Sequence, residues 1–156
     1  RVALYEATFE KYHQGTGRVP GDANWPGKRV HPDYKYEMEG CTCSHEGVNP
    51  SCGDELTLQL RIEDGVIEEA SFVGSGCAVS QASADMMADL ITGETVEEAK
   101  RLVGLFLGMI KGEALSEEDK EDLDEAAELE SISRMPARVK CAELAWRTLE
   151  KLLADK

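Results

Sequence analysis

Residues 56–62, "LTLQLRI", set Leu56, Leu58, Leu60 and Ile62 against Thr57, Gln59 and Arg61, an alternation that predicts a strand with one buried face. "EDGV" is a hairpin signal, and "VIEEASFVG" returns as another strand with Ile67, Ala70 and Phe72 among its apolar residues. A preceding strand is predicted within residues 33–41, where Tyr34, Tyr36 and Met38 alternate. From Ala78 the period lengthens. Ala82, Met86 and Leu90 recur at helical spacing until Gly93, and Thr95 with Glu98 forms a capping box for a helix striped by Leu102, Leu105, Phe106, Met109 and Ile110. Residues 117–130 predict one short exposed helix anchored by Leu123 and Leu129. Ser133 and Pro136 lead into a last helix over roughly 136–153. Met86, Met87 and Trp146 fall at core-facing helical positions. At the other end, residues 4–12 predict a short amphipathic helix, and a Gly- and Pro-rich connector follows. The fold class is α+β: a small three-stranded, mainly antiparallel sheet covered by helices, in a single domain spanning 1–156.

Composition narrows the function. The chain has 156 residues, 42% hydrophobic, with 17 basic against 31 acidic side chains and a net charge of −14. A phosphate backbone needs a positive surface, so nucleic acid is not an expected partner. No apolar run is long enough to span a membrane, and no signal-peptide pattern is visible, so the expected location is cytoplasmic. Five cysteines, at 41, 43, 52, 77 and 141, form an odd set. In a reducing compartment that number points to free thiols or metal ligands rather than a disulfide framework.

Three of these cysteines sit in suggestive settings. Cys52 and Asp54 lie in "NPSCGDE", the turn before the "LTLQLRI" strand, and Cys77 lies in "GSGC", where the returning strand gives way to a helix. Because the two strands form a hairpin, the start of one lies beside the end of the other. Cys52 and Cys77 are therefore expected at the same sheet edge. A helix N-terminus also favours the Cys77 thiolate. Cys141 falls early in the last helix, flanked by Arg138 and Lys140. A small core thiol and a third ligand are both consistent with that position. If Cys141 meets the others, three thiolates and the Asp54 carboxylate suit tetrahedral zinc, and Arg138 and Lys140 would offset the centre's negative charge.

"NPSCGDE", "FVGSGCAVSQASADMMADLITG" and "MPARVKCAELAWRTLEK" resemble, in order, the three signature blocks of the U-type iron–sulfur cluster scaffold family, most closely its zinc-binding SufU branch. The resemblance implies one zinc held by Cys52, Asp54, Cys77 and Cys141, and makes Cys52 the acceptor of sulfur from a cysteine desulfurase. It further implies that a histidine of that partner replaces Cys52 on the zinc, and that sulfur passes on to downstream cluster-assembly proteins or apo-protein acceptors. Cluster-assembling relatives carry a histidine immediately before the last cysteine, where this chain has Lys140. Residues 95–134 resemble a helical insertion found in the zinc branch. The alternative is a scaffold on which a transient iron–sulfur cluster, [2Fe–2S] or related, assembles on the same ligands before passing to apo-proteins.

"CTCSHEGV" departs from the family blocks by placing Cys41, Cys43 and His45 at alternating positions, all on one side of an extended chain. With Arg138 and Lys140 they are candidate auxiliary residues: a second weak metal site, a sulfur relay or competing ligands. The plain alternative is a pair of surface thiols beside a solvent-facing histidine. His13 and His31 are weaker ligand candidates.

Overall fold

The computed structural model describes residues 34–156; the helix expected at 4–12, the connector after it, His13 and His31 lie outside them. Three strands, β1 (Cys43–Asn49), β2 (Asp54–Glu63) and β3 (Val66–Ser75), form an antiparallel sheet in the order β1-β2-β3. The predicted hairpin is present between β2 and β3. Asp64 and Gly65 both adopt positive φ, 52° and 76°, the pairing a two-residue turn needs to match strand twist. Leu56, Leu58 and Leu60 point into the core as the alternation requires.

The first strand lies later than the 33–41 alternation indicated. Residues 34–41 instead make isolated contacts: Lys35 bridges Phe72 in parallel, and the Tyr34 amide donates to Asp85 at 2.7 Å. The Met38 amide donates to the Gln59 side-chain carbonyl at 3.0 Å, and the Gln59 amide group donates to Glu37 at 3.0 Å. This segment buries Gln59, on the face opposite Leu58 and Leu60, which the alternation had placed toward solvent. The strand that actually pairs with β2 carries Cys43, His45 and Gly47 on its inward face, with no aliphatic periodicity to announce it.

Four α-helices follow: α1 (Ala78–Ile91), α2 (Val96–Ile110), α3 (Glu117–Leu123) and α4 (Pro136–Leu153). Thr95 caps α2 by accepting the Glu98 amide at 3.1 Å, one half of the expected capping box, while the Glu98 carboxylate accepts from Arg101 at 3.1 Å. Pro136 opens α4 at a position where a missing N–H costs nothing. The single helix expected at 117–130 is two pieces. The backbone breaks at Asp124, φ 50°, and a three-ten run covers Asp124–Arg134. Leu123, Ala126, Leu129 and Ile132, all buried, recur every three residues, the three-ten repeat rather than the α-helical one. Leu123 and Leu129 are the anchors expected of them.

Helix α4 packs on β1 and β2 while α1 packs on β3, and α1 and α2 flank α4. Trp146 of α4 is fully buried and stacks on Phe106 of α2 with ring centroids 4.1 Å apart. Its indole N–H donates to Ser83 Oγ of α1 at 2.9 Å, and that hydroxyl donates to the Ala142 carbonyl at 2.5 Å. One side chain thus ties three helices together and fixes the rotation of α4, which points Cys141 at the end of the sheet. Among the described residues no helix is long and apolar enough to cross a membrane.

Candidate metal centre

Cys52 stands at the tip of the β1–β2 turn, where the Cys52 and Gly53 amides both donate to the Asn49 carbonyl, at 3.2 and 3.0 Å. The thiol is exposed. Asp54, the first residue of β2, is only 1% exposed. The register places Ser75 opposite Glu55, so the chain leaving β3 passes directly beside Asp54. There the Cys77 amide donates to Asp54 Oδ1 at 2.9 Å. The shared edge expected for Cys52 and Cys77 is present.

Cys77 is the N-cap of α1, and its sulfur accepts the Ser80 amide at 3.5 Å. The approach of Asp54 to this cap requires Gly76. A Cβ on that residue would collide with Ser80 Oγ and stand 2.9 Å from Asp54 Oδ1. Cys141 arrives from the second turn of α4, fully buried, with its sulfur 3.3 Å from that of Cys52 and 3.9 Å from the Asn49 amide nitrogen.

The ligand atoms of Cys52, Asp54 and Cys141 all lie within 4.8 Å of one another. Four ligands on a tetrahedral zinc at thiolate bond lengths stand about 3.8 Å apart, so this spacing suits one small cation. Cys77 lies outside that trio and joins through Cys141. A hydrogen bond with Cys141, aided by the Ser80 amide and opposed by burial, lowers the Cys77 thiol to about 6. The Cys141 thiol is pushed well above the ordinary range, chiefly by that same hydrogen bond, then by burial and by Cys52. A metal bound among these sulfurs would displace their thiol protons.

Asp54 supplies an independent test of fit. Its second oxygen, Oδ2, is buried and has no hydrogen-bond partner among the described residues. Leaving such an atom unpaired costs about 1–3 kcal/mol or more, and a cation bound among the thiols would relieve it. The donor set of soft sulfurs and one hard oxygen suits zinc and iron alike.

Residues 31–142 match the family model of the NifU-like N-terminal domain. The chain belongs to this family of iron–sulfur cluster scaffolds. It is 43% identical over 120 residues to the iron–sulfur cluster assembly scaffold protein IscU of Thermotoga maritima, covering 77% of this chain and 82% of that protein. It is 40% identical over 108 residues to the zinc-dependent sulfurtransferase SufU of Bacillus subtilis, covering 69% and 72%. A crystal structure from Fervidobacterium islandicum AW-1, assigned as a scaffold protein for the SUF system, superimposes with a TM-score of 0.73 at 34% identity, over 78% of this chain and 87% of that one. IscU and SufU relatives thus match to similar degrees, and similarity alone favours neither branch.

Within the family frame, the auxiliary candidates separate by position. Cys43 lies opposite Leu60 and Asn49 opposite Asp54, six residues apart along β1, or about 20 Å. Cys43 and His45 share the inward face, as alternation predicted, but run away from the Cys52 group rather than toward it. Arg138 is half-buried in the first turn of α4, and Lys140 is exposed beside Asn49 at the mouth of a cleft. Asn49 and Ser80, which contact the cysteine sulfurs, were not among the expected site residues. Asn49 reads as a plain turn former before Pro50, and only the fold brings its amide to Cys141.

Proposed function

We propose that the protein is a zinc-dependent sulfur acceptor that works with a cytoplasmic cysteine desulfurase and passes sulfur toward cluster assembly. Cys52, Asp54, Cys77 and Cys141 would hold the zinc. Bound there, the metal supplies the positive charge that keeps these thiols ionised at neutral pH. The observation that carries the reading is the graded exposure of the thiols: Cys141 is buried, Cys77 half-buried and Cys52 exposed at a hairpin tip. Only Cys52 stands where a partner's persulfide can reach it. Its thiolate attacks the outer sulfur of that persulfide, forming a new S–S bond to Cys52 while the partner's S–S bond breaks and its cysteine leaves as thiolate.

Two features support the zinc branch. Lys140, a poor ligand at neutral pH, precedes Cys141. The segment at about 95–134 resembles the longer helical insertion of that branch, within what we read as a single domain. The second reading, a scaffold for [2Fe–2S] assembly on the same ligands, has its own support in the donor set, whose sulfurs suit iron as well as zinc.

The test is persulfide mapping by mass spectrometry after incubating anaerobically purified protein with a cysteine desulfurase and cysteine. Sulfur on Cys52 with faster desulfurase turnover supports the relay. Iron and acid-labile sulfide on the same cysteines, with turnover unchanged, moves the assignment to the scaffold.

A further inference from the structure

Beside the cysteine group, a cleft of about 220 Å³ runs between β1 and α4. One wall is the stretch of β1 at 46–49, which belongs to an edge strand: among the described residues no strand pairs with the side of β1 away from β2. The other wall is a stripe of α4 that includes Lys140, Leu144, Arg147, Thr148 and Lys151. These recur at helical spacing and so form one continuous face. Gly47 holds the two walls close together, because a Cβ there would run into Thr148 Oγ1. Val48, at 53% exposure, is one of the few large apolar side chains among the described residues presented to solvent, and it sits on this edge.

The charge of the cleft is opposite to that of the molecule. In a chain of net charge −14, Lys140, Arg147 and Lys151 gather here against Glu46 and Glu143. Arg147 is occupied by Glu143 at 3.7 Å and Glu150 at 3.4 Å. Lys140 and Lys151 have no ion-pair partner among the described residues. They mark the two ends of the stripe, eleven residues and roughly 16 Å of helix apart. An extended peptide covers that distance in about five residues.

We propose that this cleft docks an extended acidic segment of a partner protein, which adds as a strand to the edge of β1 and places carboxylates on Lys140 and Lys151. Strand addition supplies main-chain hydrogen bonds without demanding a sequence, and the two lysines select for acidic side chains at the matching spacing. A neutral or basic strand would leave both lysines unpaired. Because the cleft ends at Asn49, a partner seated there lies next to the Cys52 turn. The surface is distinct from the thiols, and the proposal does not depend on which metal they hold.

The experiment uses the full chain and a fluorescein-labelled peptide, Glu-Val-Thr-Val-Thr-Val-Glu, whose two glutamates share one face of an extended strand, with a matched peptide carrying Lys in place of both Glu residues. Fluorescence anisotropy should show saturable binding of the acidic peptide only, weakening with added salt. Bound peptide should slow hydrogen exchange at the amides of 46–48. Lys151→Glu should weaken binding severalfold, and Lys140→Glu combined with Lys151→Glu by about tenfold while admitting the lysine peptide. Both positions are exposed, and unfolding curves are to check that the variants fold. Absence of saturable binding, equal binding of the two peptides, or indifference to the double charge reversal overturns the proposal. So does a concentration-dependent dimer abolished by the same reversal, which would make a second copy of this chain the occupant.

Discussion

Gly76→Ala is the substitution that most sharply probes how the fold builds its centre. A methyl group there meets Ser80 Oγ and stands 2.9 Å from Asp54 Oδ1 and 3.3 Å from Asp54 Cγ. Something must shift, and the neighbours that can are the carboxylate and the Ser80 hydroxyl, which donates to the Cys77 carbonyl at 3.0 Å. Overpacking of this kind costs about 1–3 kcal/mol. Weakening the hydrogen bond from the Cys77 amide to the Asp54 carboxylate adds a share of the roughly 1.5–3 kcal/mol that charged hydrogen bonds contribute. A total near 2–4 kcal/mol lowers the melting temperature by about 5–15 °C in a domain of this size. Displacing the carboxylate should also lower zinc affinity by about 10–100-fold, the usual effect of disturbing a ligand's support. Urea unfolding of metal-free protein and zinc competition against a chromophoric chelator read the two effects separately. Gly40→Ala is the control. Its φ of 74° disfavours a side chain, but nothing lies within 4 Å of the added methyl, so it should lose about 1–2 kcal/mol with zinc affinity unchanged. If Gly76→Ala unfolds at the wild-type midpoint and binds zinc normally, the crowding argument is wrong.

Three further outcomes are expected. Ser83→Ala strands the buried Trp146 N–H and should destabilise the fold by about 1–3 kcal/mol in chemical denaturation; a loss below about 0.5 kcal/mol would show that the hydroxyl relay between α1 and α4 is dispensable. In metal-free protein, alkylation of Cys77 should be half-maximal near pH 6 while Cys141 stays unreactive, and a Cys77 midpoint near that of a free thiol would contradict the lowered Cys77 value. The sign for stability follows. The folded Cys77 value lies below the unfolded one, about 8.5, so its contribution is fully present above that pH and is lost as pH falls toward 6. Finally, Cys41→Ser with Cys43→Ser should leave sulfur transfer to Cys52 unchanged, because Cys43 is about 20 Å along β1 from the turn; a loss of transfer would restore these thiols as a relay.

The parts of the fold legible in the sequence were those carried by strong periodicity or by local chemistry. The β2–β3 hairpin followed from leucines alternating with polar residues and from the Asp64–Gly65 turn, and α2 from its cap at Thr95. β1 lies outside the expected stretch because Cys43, His45 and Gly47 face inward where aliphatic residues would announce a strand, while the tyrosines upstream mimic one. The acidic segment is two pieces and not one helix because Leu123, Ala126, Leu129 and Ile132 recur every three residues, a period that a helix-length stretch of charged residues masks. At the site, hairpin logic alone brought Cys52 near Cys77. The arrival of Cys141 depends on long-range helix packing around Trp146, which no local pattern encodes. The roles of Asn49 and Gly76 were equally hidden, since each acts on a residue distant in sequence.

The most direct test of the account is the ligand set of the metal in anaerobically purified protein, read by X-ray absorption at the zinc edge together with elemental analysis. The account predicts about one zinc per chain with three sulfur neighbours near 2.3 Å and one oxygen near 2.0–2.2 Å, and loss of the oxygen contribution in Asp54→Ala. A shell containing imidazole nitrogen from this chain, or a set retained when Cys52, Cys77 and Cys141 are all replaced by serine, would contradict it.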